Sequence, residues 1–518
     1  MGLSLTELLV EYLRSPLGLD EKAPRFSWQL SSDKKDTLQT AVEIRVREAK
    51  TEEEVWDSGL LSTDVSTGIT YEGKALKPCT AYVVQVEVTD NYGRKAVAET
   101  VFETGFLKKD KSVWEGADWI GAPDFHVAAN ARGVFVLGST FRMKEGSKRA
   151  GVVFGANDFR LLDHNQNEYG LEGENYIRYE INRAGETPVL DIYRVGYAKD
   201  DKKDVPFATV ELDKNVNFDE FHCLKIVVDG DKAFTYLDEK PVDVPETAMG
   251  PMKISGRVLN PRGHNDVLTY PRLNEIGFFA GEGDTAYFKD LTVKNLRTPG
   301  RTFVEETPEK VASIFAELPK EEGCFAVSGT QITKDPSRGA IPMLRSNIPV
   351  RKDAALQRAR LYVTARGIYD VHVNGARITE NLLAPGLTQY DRRMNYQAYD
   401  LTGILKPGNN GIGVALGSGW WCDAQTFVVK NYNYFGDKEA LLAKIILEFA
   451  DGDREVYTTN PETWKYFGDG PYRYSGFFLG EQYDARKKAV YDAFSLADFD
   501  DSGWSAAAKE PWELPVIA

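Results

Sequence analysis

DGPYRYSGFFLGEQYDAR, residues Asp469 to Arg486, is the stretch whose reading decides the fold. It sets Asp469 two residues before a proline and four before Arg473, and then places Glu481 and Asp484 three apart. An acid–base hydrolase needs two carboxyls, one to give a proton and one to take it. The same residues also read as a β-hairpin whose charges tie it to neighbouring strands. The flanking sequence decides between an acid–base centre and a structural marker.

At 518 residues the chain is too long for one core, and the length predicts three or four domains. Charged residues make up 27% and hydrophobic ones 42%, an ordinary globular balance. Aromatics reach 12%, with 25 Tyr, 26 Phe and 9 Trp, which suits β-sandwiches or surfaces that stack flat ligands. The formal net charge of −15 and the lack of a Lys/Arg stripe argue against a nucleic-acid partner. Cys79, Cys223, Cys324 and Cys422 lie far apart and form no CxxC, so they read as free thiols. No apolar run approaches the roughly 18 residues of a membrane helix, so no membrane partner is expected. MGLSLTELLVEYL lacks a basic leader and a small-residue cleavage site. The compartment stays open: cytoplasmic, or periplasmic or secreted if a leader has been removed.

Three blocks follow along the chain, all with strand periodicity. TAVEIRVRE and AYVVQVEVTD alternate apolar and polar residues, and ETVFET continues the pattern after the turn NYG. Short strands at this spacing resemble an immunoglobulin-like or fibronectin type III module. From about residue 125 to 300, runs such as AGVVFG, NYIRYEI and LKIVVDGDKAFTYLD are joined by Gly/Asp turns. LKIVVDGDKAFTYLD is expected to turn at Asp229-Gly230-Asp231, and the order of strands resembles laminin-G or concanavalin-like sandwiches. From about 345 to 515 come RARLYVTARGIYDVHVNG, NNGIGVALGSGWW and LLAKIILEFADGD, with slight helical signal. The turn DFDDSGW is expected to pack Trp504 back onto a sheet. Residues 302–334, mixed and partly charged, read as a link between the second and third blocks.

EYLRSPLGLDEKAPRFSW, WDSG and ADWIGA, followed in order by ARLYVTARGIYDVHVNGARI, LLAPGLTQYDRR, YQAYDLTGIL, LGSGWW and GPYRYSGFFLGEQYDAR, resemble the bacterial α-L-rhamnosidases of glycoside hydrolase family 78. The resemblance covers about 300 residues. It implies an all-β, multi-domain architecture: residues 1–117 with the Ig-like sandwich, 118–305 as a laminin-G-like insert after the DWIGA segment, and 306–518 as a rhamnosidase N-terminal jelly-roll. The insert makes the jelly-roll discontinuous. The family's inverting two-carboxylate chemistry belongs to an (α/α)6 barrel that follows the jelly-roll, and residues 1–518 carry no long helical period. The expectation is therefore a set of non-catalytic modules, inactive alone, whose partners are that catalytic barrel and a rhamnose-containing glycan.

Asp469-Gly470-Pro471-Tyr472-Arg473 copies the first half of the barrel's acidic signature, D-x-P-x-R. Phe477, Phe478 and Leu479 stand where its second half needs an acid and a Trp. The stretch fits the family's jelly-roll hairpin better, so no catalytic residue is assigned and Glu481, Asp484 and Arg486 are expected to tie the hairpin down.

The resemblance further implies a carbohydrate-binding module that holds terminal rhamnose through calcium, an ion that takes six to eight oxygen ligands. Candidate sugar contacts are Trp420, Trp421, Asp423, Gln425 and Asn374, and candidate calcium ligands are Asp370 and Asn374; Asn431 is a further loop oxygen. LGSGWWCDAQTF departs from the family's commoner G-W-Y-x-G, which puts that loop in doubt. The blander alternatives are a type I′ turn at Asn374-Gly375 and a core role for Trp420, with Trp421 facing outward. Asp163, Asn165, Asn167 and Glu174 have calcium-loop spacing, but Glu168 stands where the sharp turn needs Gly, and strands flank the segment. His126, His164, His222, His264 and His372 share no metal-ligand spacing, and no nucleophile elbow, P-loop or dinucleotide fingerprint appears. The rival from another class is a free-standing carbohydrate-binding or adhesion protein.

Overall fold

The computed structural model describes residues 2–123, 134–157, 174–197, 201–229, 232–244, 273–296, 302–310, 313–333, 340–423, 434–477 and 480–512. Among them the architecture is all-β, built from antiparallel sheets, and α-helices run to six residues at most.

In the first module, strands Gln39–Glu48 and Ala81–Asp90 pair over their length, Val42 facing Val88 and Val46 facing Val84. Their period of two buries Val42, Ile44, Val46, Val84, Val86 and Val88 on one side and leaves charges on the other. A three-stranded sheet, with strand Arg25–Ser31 at its centre, closes that core with Phe26 and Trp28. The buried Trp28 indole N–H donates to Gln39 at 2.9 Å, so the polar edge of the ring is satisfied.

The second module has two larger sheets over one core. Strand Arg149–Ala156 lies between Tyr176–Asn182 and Glu275–Ala280 in a six-stranded sheet. The facing sheet is organised around strand Val134–Met143, which pairs with His222–Asp229, Ala286–Phe288 and Leu291–Asn295. Phe278 of one sheet meets Phe288 of the other at 4.4 Å between ring centres. Strands His222–Asp229 and Lys232–Leu237 form a hairpin with Asp229 opposite Lys232. Residues 302–334 differ from the link read in the sequence. Thr302–Glu306 pairs with Leu291–Asn295, Cys324–Val327 with Ala286–Phe288, and Thr330–Ile332 with Glu275–Ala280. Their strands are two to five residues long, too short for a period to show, and Phe315 between them is buried against Phe278.

The third module is a sandwich of two sheets, one ordered through Ile368–Val373, Gly408–Gly417, Met343–Val350 and Lys465–Phe467. The other holds Leu356–Arg366 and Ala440–Phe449 side by side. Trp119–Gly121 inserts next to Ala440, between it and the final strand Ala508–Glu510. Chain from before the second module thus completes a sheet of the third. Trp504 stacks on Phe467 at 5.0 Å, as the DFDDSGW turn predicts.

The first and third modules meet through a buried ion cluster and a ring cluster. Glu103 accepts from Arg358 at 2.8 Å and from Arg360 at 2.8 Å. Phe106 packs on Tyr362 at 4.8 Å and Tyr396 at 4.7 Å, and the Tyr396 hydroxyl accepts from the Phe106 N–H. The four cysteines are free thiols.

Candidate functional site

One strand of the third module explains why a cleft exists where it does. In NNGIGVALG, Ile412, Val414 and Leu416 face the core, while Gly411, Gly413, Ala415 and Gly417 face the other way. A side chain at Gly413 would strike Phe494 at 2.5 Å, and one at Gly417 would meet Ile368 at 2.9 Å. The small residues lower the outer face of the sheet, and two elements fold over it. The first is the hairpin of strands Tyr472–Gly476 and Gly480–Tyr483, with Ser475 opposite Glu481. The second is the short helix Lys488–Ala493, which brings Tyr491 over His372 at 5.4 Å.

The space left between them is a cleft of about 190 Å³, floored by Ala415 and Gly417. Asp370, Arg377, Ser475, Glu481, Tyr472 and Tyr491 reach its wall, and Leu382 and Leu383 stand at its rim. At about 30 Å³ per water it has room for roughly six waters, enough to seat one face of a sugar ring with the rest in solvent.

The cleft's polar groups are already ordered by one another. Asp370 accepts from Arg377 at 2.5 Å and from the Tyr491 hydroxyl at 3.1 Å, and a ring nitrogen of His372 lies 3.1 Å away. Burial alone would raise the Asp370 pKa, but the hydrogen bonds from His372 and Arg377 outweigh it and hold the carboxyl below its usual range. Burial pushes the Tyr491 phenol upward, so it stays a neutral donor. The Ser475 hydroxyl lies 3.4 Å from a Glu481 oxygen. A fixed carboxylate, a guanidinium, a hydroxyl and a second carboxylate thus line a small concavity beside tyrosine rings and two leucines. Such a set can pair donors and acceptors with a neutral polyol and cover its apolar face.

The remaining charges of the 469–486 stretch hold the hairpin in place. Asp469 accepts from Arg473 at 2.7 Å and from Lys487 at 2.6 Å. Asp484 accepts both N–H groups of the Arg486 side chain at 2.8 Å and caps the turn that follows; the arginine's hydrogen bond brings its pKa down to about 2.

The residues singled out in the sequence do not converge. Trp420 and Trp421 sit on a single helical turn, Gly419–Cys422, not on a strand. This reverses the expected sidedness. Trp421 is buried, donating to the Lys438 carbonyl and packing on Tyr390, whereas Trp420 is half-buried and stacks on Phe477 at 4.2 Å. Asp423 is fully buried. Gln425 and Asn431 lie outside the described residues, as do residues 163–173, His126, His164 and His264. His222 is held between Asp238 at 2.6 Å and the Asn217 carbonyl at 3.0 Å.

Asn374 and Asp370 do not fit a shared calcium ion. Asn374 adopts φ 52° in a two-residue turn, its amide donating to Asn410 and Ile404 and its oxygen accepting from Gly411. Asp370 is faced by the Arg377 guanidinium, a cation where calcium would need an oxygen. Among the described residues no group of three or more His, Cys, Asp or Glu is placed to hold a metal. Sequence reading reached Asp370 but missed Arg377, Tyr472, Ser475 and Tyr491. The available signal was the row of small residues in NNGIGVALG, which marks a sheet face approached closely by other chain.

Fold and cleft together define a multi-module β-sandwich protein with a small polar cleft on its third module. Comparison with known proteins sharpens this. The model of the Rha78A-like, N-terminal immunoglobulin domain matches residues 5–108, and that of the alpha-L-rhamnosidase N-terminal domain matches residues 354–517. The chain belongs to the alpha-L-rhamnosidase family, over modules that stand at the N-terminal end of its members. It is similar to an alpha-L-rhamnosidase of Streptomyces avermitilis, 28% identical over 523 residues, which are 99% of this chain and 45% of that protein. An alpha-L-rhamnosidase of an Alteromonas species is 31% identical over 185 residues, 35% of this chain and 19% of that one. Among solved structures, the Streptomyces avermitilis alpha-L-rhamnosidase complexed with L-rhamnose superposes with a TM-score of 0.56 at 24% identity, over 100% of this chain and 46% of that one. The alpha-L-rhamnosidase from Dictyoglumus thermophilum gives 0.51 at 20%, over 99% and 35%. These likenesses show the fold, and the chain spans less than half the length of the relatives it matches.

Proposed function

We propose that the chain supplies accessory, carbohydrate-binding modules to an α-L-rhamnosidase, and that the cleft between Asp370, Arg377 and Glu481 holds the terminal sugar of a rhamnose-containing glycan. The observation that carries this reading is the cleft itself: fixed donors and acceptors beside Tyr472, Tyr491 and two exposed leucines, in a space that seats one face of a ring. Rhamnose has vicinal hydroxyls that a carboxylate and a guanidinium can pair, and a methyl group suited to the Leu382–Leu383 rim.

Hydrolysis of the glycosidic bond is assigned to the catalytic barrel of the longer enzyme, where two carboxyls would act by the inverting route. A general acid needs a raised pKa, and Asp370 is held in the opposite direction. Asp370 is therefore read as a binding group, and the hairpin of Tyr472–Gly476 and Gly480–Tyr483 as the frame of the cleft.

Because the cleft grips through its own hydrogen bonds, capture is independent of calcium. Calorimetry with L-rhamnose, with and without EDTA, tests this: saturable heat in both conditions is expected. Heat lost in EDTA would move the site to a calcium-bridged one elsewhere, and no heat in either condition would leave the modules as scaffold. Release of p-nitrophenol from p-nitrophenyl-α-L-rhamnoside, sensitive to Glu481→Ala, would overturn the assignment of hydrolysis to other residues.

A further inference from the structure

A second cavity, on the other side of strand Gly408–Gly417 from the cleft and mainly apolar, opens between the two sheets of the third module. It holds about 330 Å³ and is lined by Ser346, Ile348, Ile412, Ala443, Ile445 and Trp464, with Tyr457 at its mouth. Two features of the strands make it. The inward row of Ala440–Phe449 reads Leu441, Ala443, Ile445, Leu447 and Phe449, so its one small side chain, Ala443, leaves a gap among large ones. Strand Met343–Val350 pairs with Lys465–Phe467 only as far as Arg345, so residues 346–350 form a free edge there. Arg454–Thr458 borders the opposing sheet, and the Tyr457 hydroxyl donates to the Pro349 carbonyl at 2.8 Å, bridging the two edges beside the opening.

The chemistry of the wall selects an occupant. None of the lining residues is charged. The lining is mainly apolar, with Asn347, Asn460 and Thr463 among its polar residues, so an occupant with an apolar body gains contacts along most of the wall. Ser346 is the one polar side chain in the inward row Leu344, Ser346, Ile348, Val350. Its hydroxyl donates to the Thr463 carbonyl at 2.9 Å, which leaves its oxygen able to accept one more hydrogen bond. The Trp464 indole N–H is satisfied by the Thr458 carbonyl at 3.2 Å, so its ring acts as a plain apolar wall.

We infer that this cavity binds a small neutral molecule with an apolar body and one hydroxyl, an aryl or alicyclic alcohol, whose O–H donates to Ser346. At about 30 Å³ per water-sized atom the space takes roughly eleven heavy atoms. The inference is independent of the sugar reading.

The test titrates 2-naphthol, neutral at pH 7 and of matching size, into the full chain by calorimetry, together with Ala443→Leu and Ser346→Ala. One-to-one saturable binding is expected, weakened at least tenfold by Ala443→Leu with an unfolding temperature equal to or above wild type, and weakened several-fold by Ser346→Ala. If Ala443→Leu does not fold, Ile412→Phe closes the same space from the other sheet and is expected to show the same loss. Absence of saturable binding to wild type, or wild-type affinity in the cavity-filling variant, would overturn the inference.

Discussion

Glu103 shows how much one side chain can carry in this chain. It closes the last long strand of the first module, and its carboxylate lies between Arg358 and Arg360 of the third. Burial alone would raise its pKa, but the two arginines outweigh that and hold it below the usual glutamate range. Removing the carboxylate leaves two buried guanidiniums short of a partner, so Glu103→Ala should cost about 3 kcal/mol in urea denaturation. Because the folded pKa is depressed, this contribution is fully present above the unfolded value of about 4.3 and fades as pH falls through the lower folded one. The gap between wild type and Glu103→Ala should therefore close in acid; a gap that persisted unchanged at pH 3 would contradict the ion cluster. In the sequence, the arginines of LQRARLYV read as polar positions of an alternating strand, and that much was legible. Their partner, more than 250 residues away, was not, because periodicity carries no information about which distant charge a residue meets.

The elements divide the same way. Long strands with one buried face announce themselves, as TAVEIRVRE and AYVVQVEVTD do. The hairpin at Asn374-Gly375 was legible too, since only a two-residue turn with both φ values positive joins Val373 to Ala376. Gly375 sits at φ 85°, and a side chain there would lie 2.7 Å from Leu496. Gly375→Ala should lower stability by about 1–3 kcal/mol, read as a shift in the urea midpoint at constant slope. A variant as stable as wild type would show that Leu496 moves aside freely and the turn is not under this constraint. The short strands between residues 302 and 334 were illegible because two to five residues cannot display a period, and they exist only through pairing with distant strands. Trp420 and Trp421 misled for a related reason. An alternating strand would send them to opposite faces with Trp420 inward, but the chain takes one helical turn after Gly417 and buries Trp421.

At the scale of the whole molecule, the third module is discontinuous, and Trp119–Gly121 is wedged between two of its later strands. Ile120 is fully buried in the core it completes. Residues 340–512 alone should therefore show no cooperative thermal unfolding, and co-expression with residues 1–123 should restore it; a cooperative transition in the isolated fragment would show that the wedge is dispensable. The family motifs marked which modules are present, and the half-copied acidic signature at Asp469 lies in a hairpin where Asp469 pairs with Arg473 and Lys487. The cleft was not legible as a site, since it draws Asp370, Arg377, Glu481 and Tyr491 from four elements spread over more than 120 residues.

The central claim is that this cleft captures rhamnose. The measurement that meets it most directly is calorimetric titration of L-rhamnose into the full chain and into Asp370→Asn, with unfolding temperatures recorded for both. Asp370→Asn keeps the side chain's shape but removes the charge that orders Arg377, and affinity should fall at least tenfold, about 1.4 kcal/mol, with little change in unfolding temperature. Equal affinity in wild type and variant, or no binding to wild type, would contradict the account.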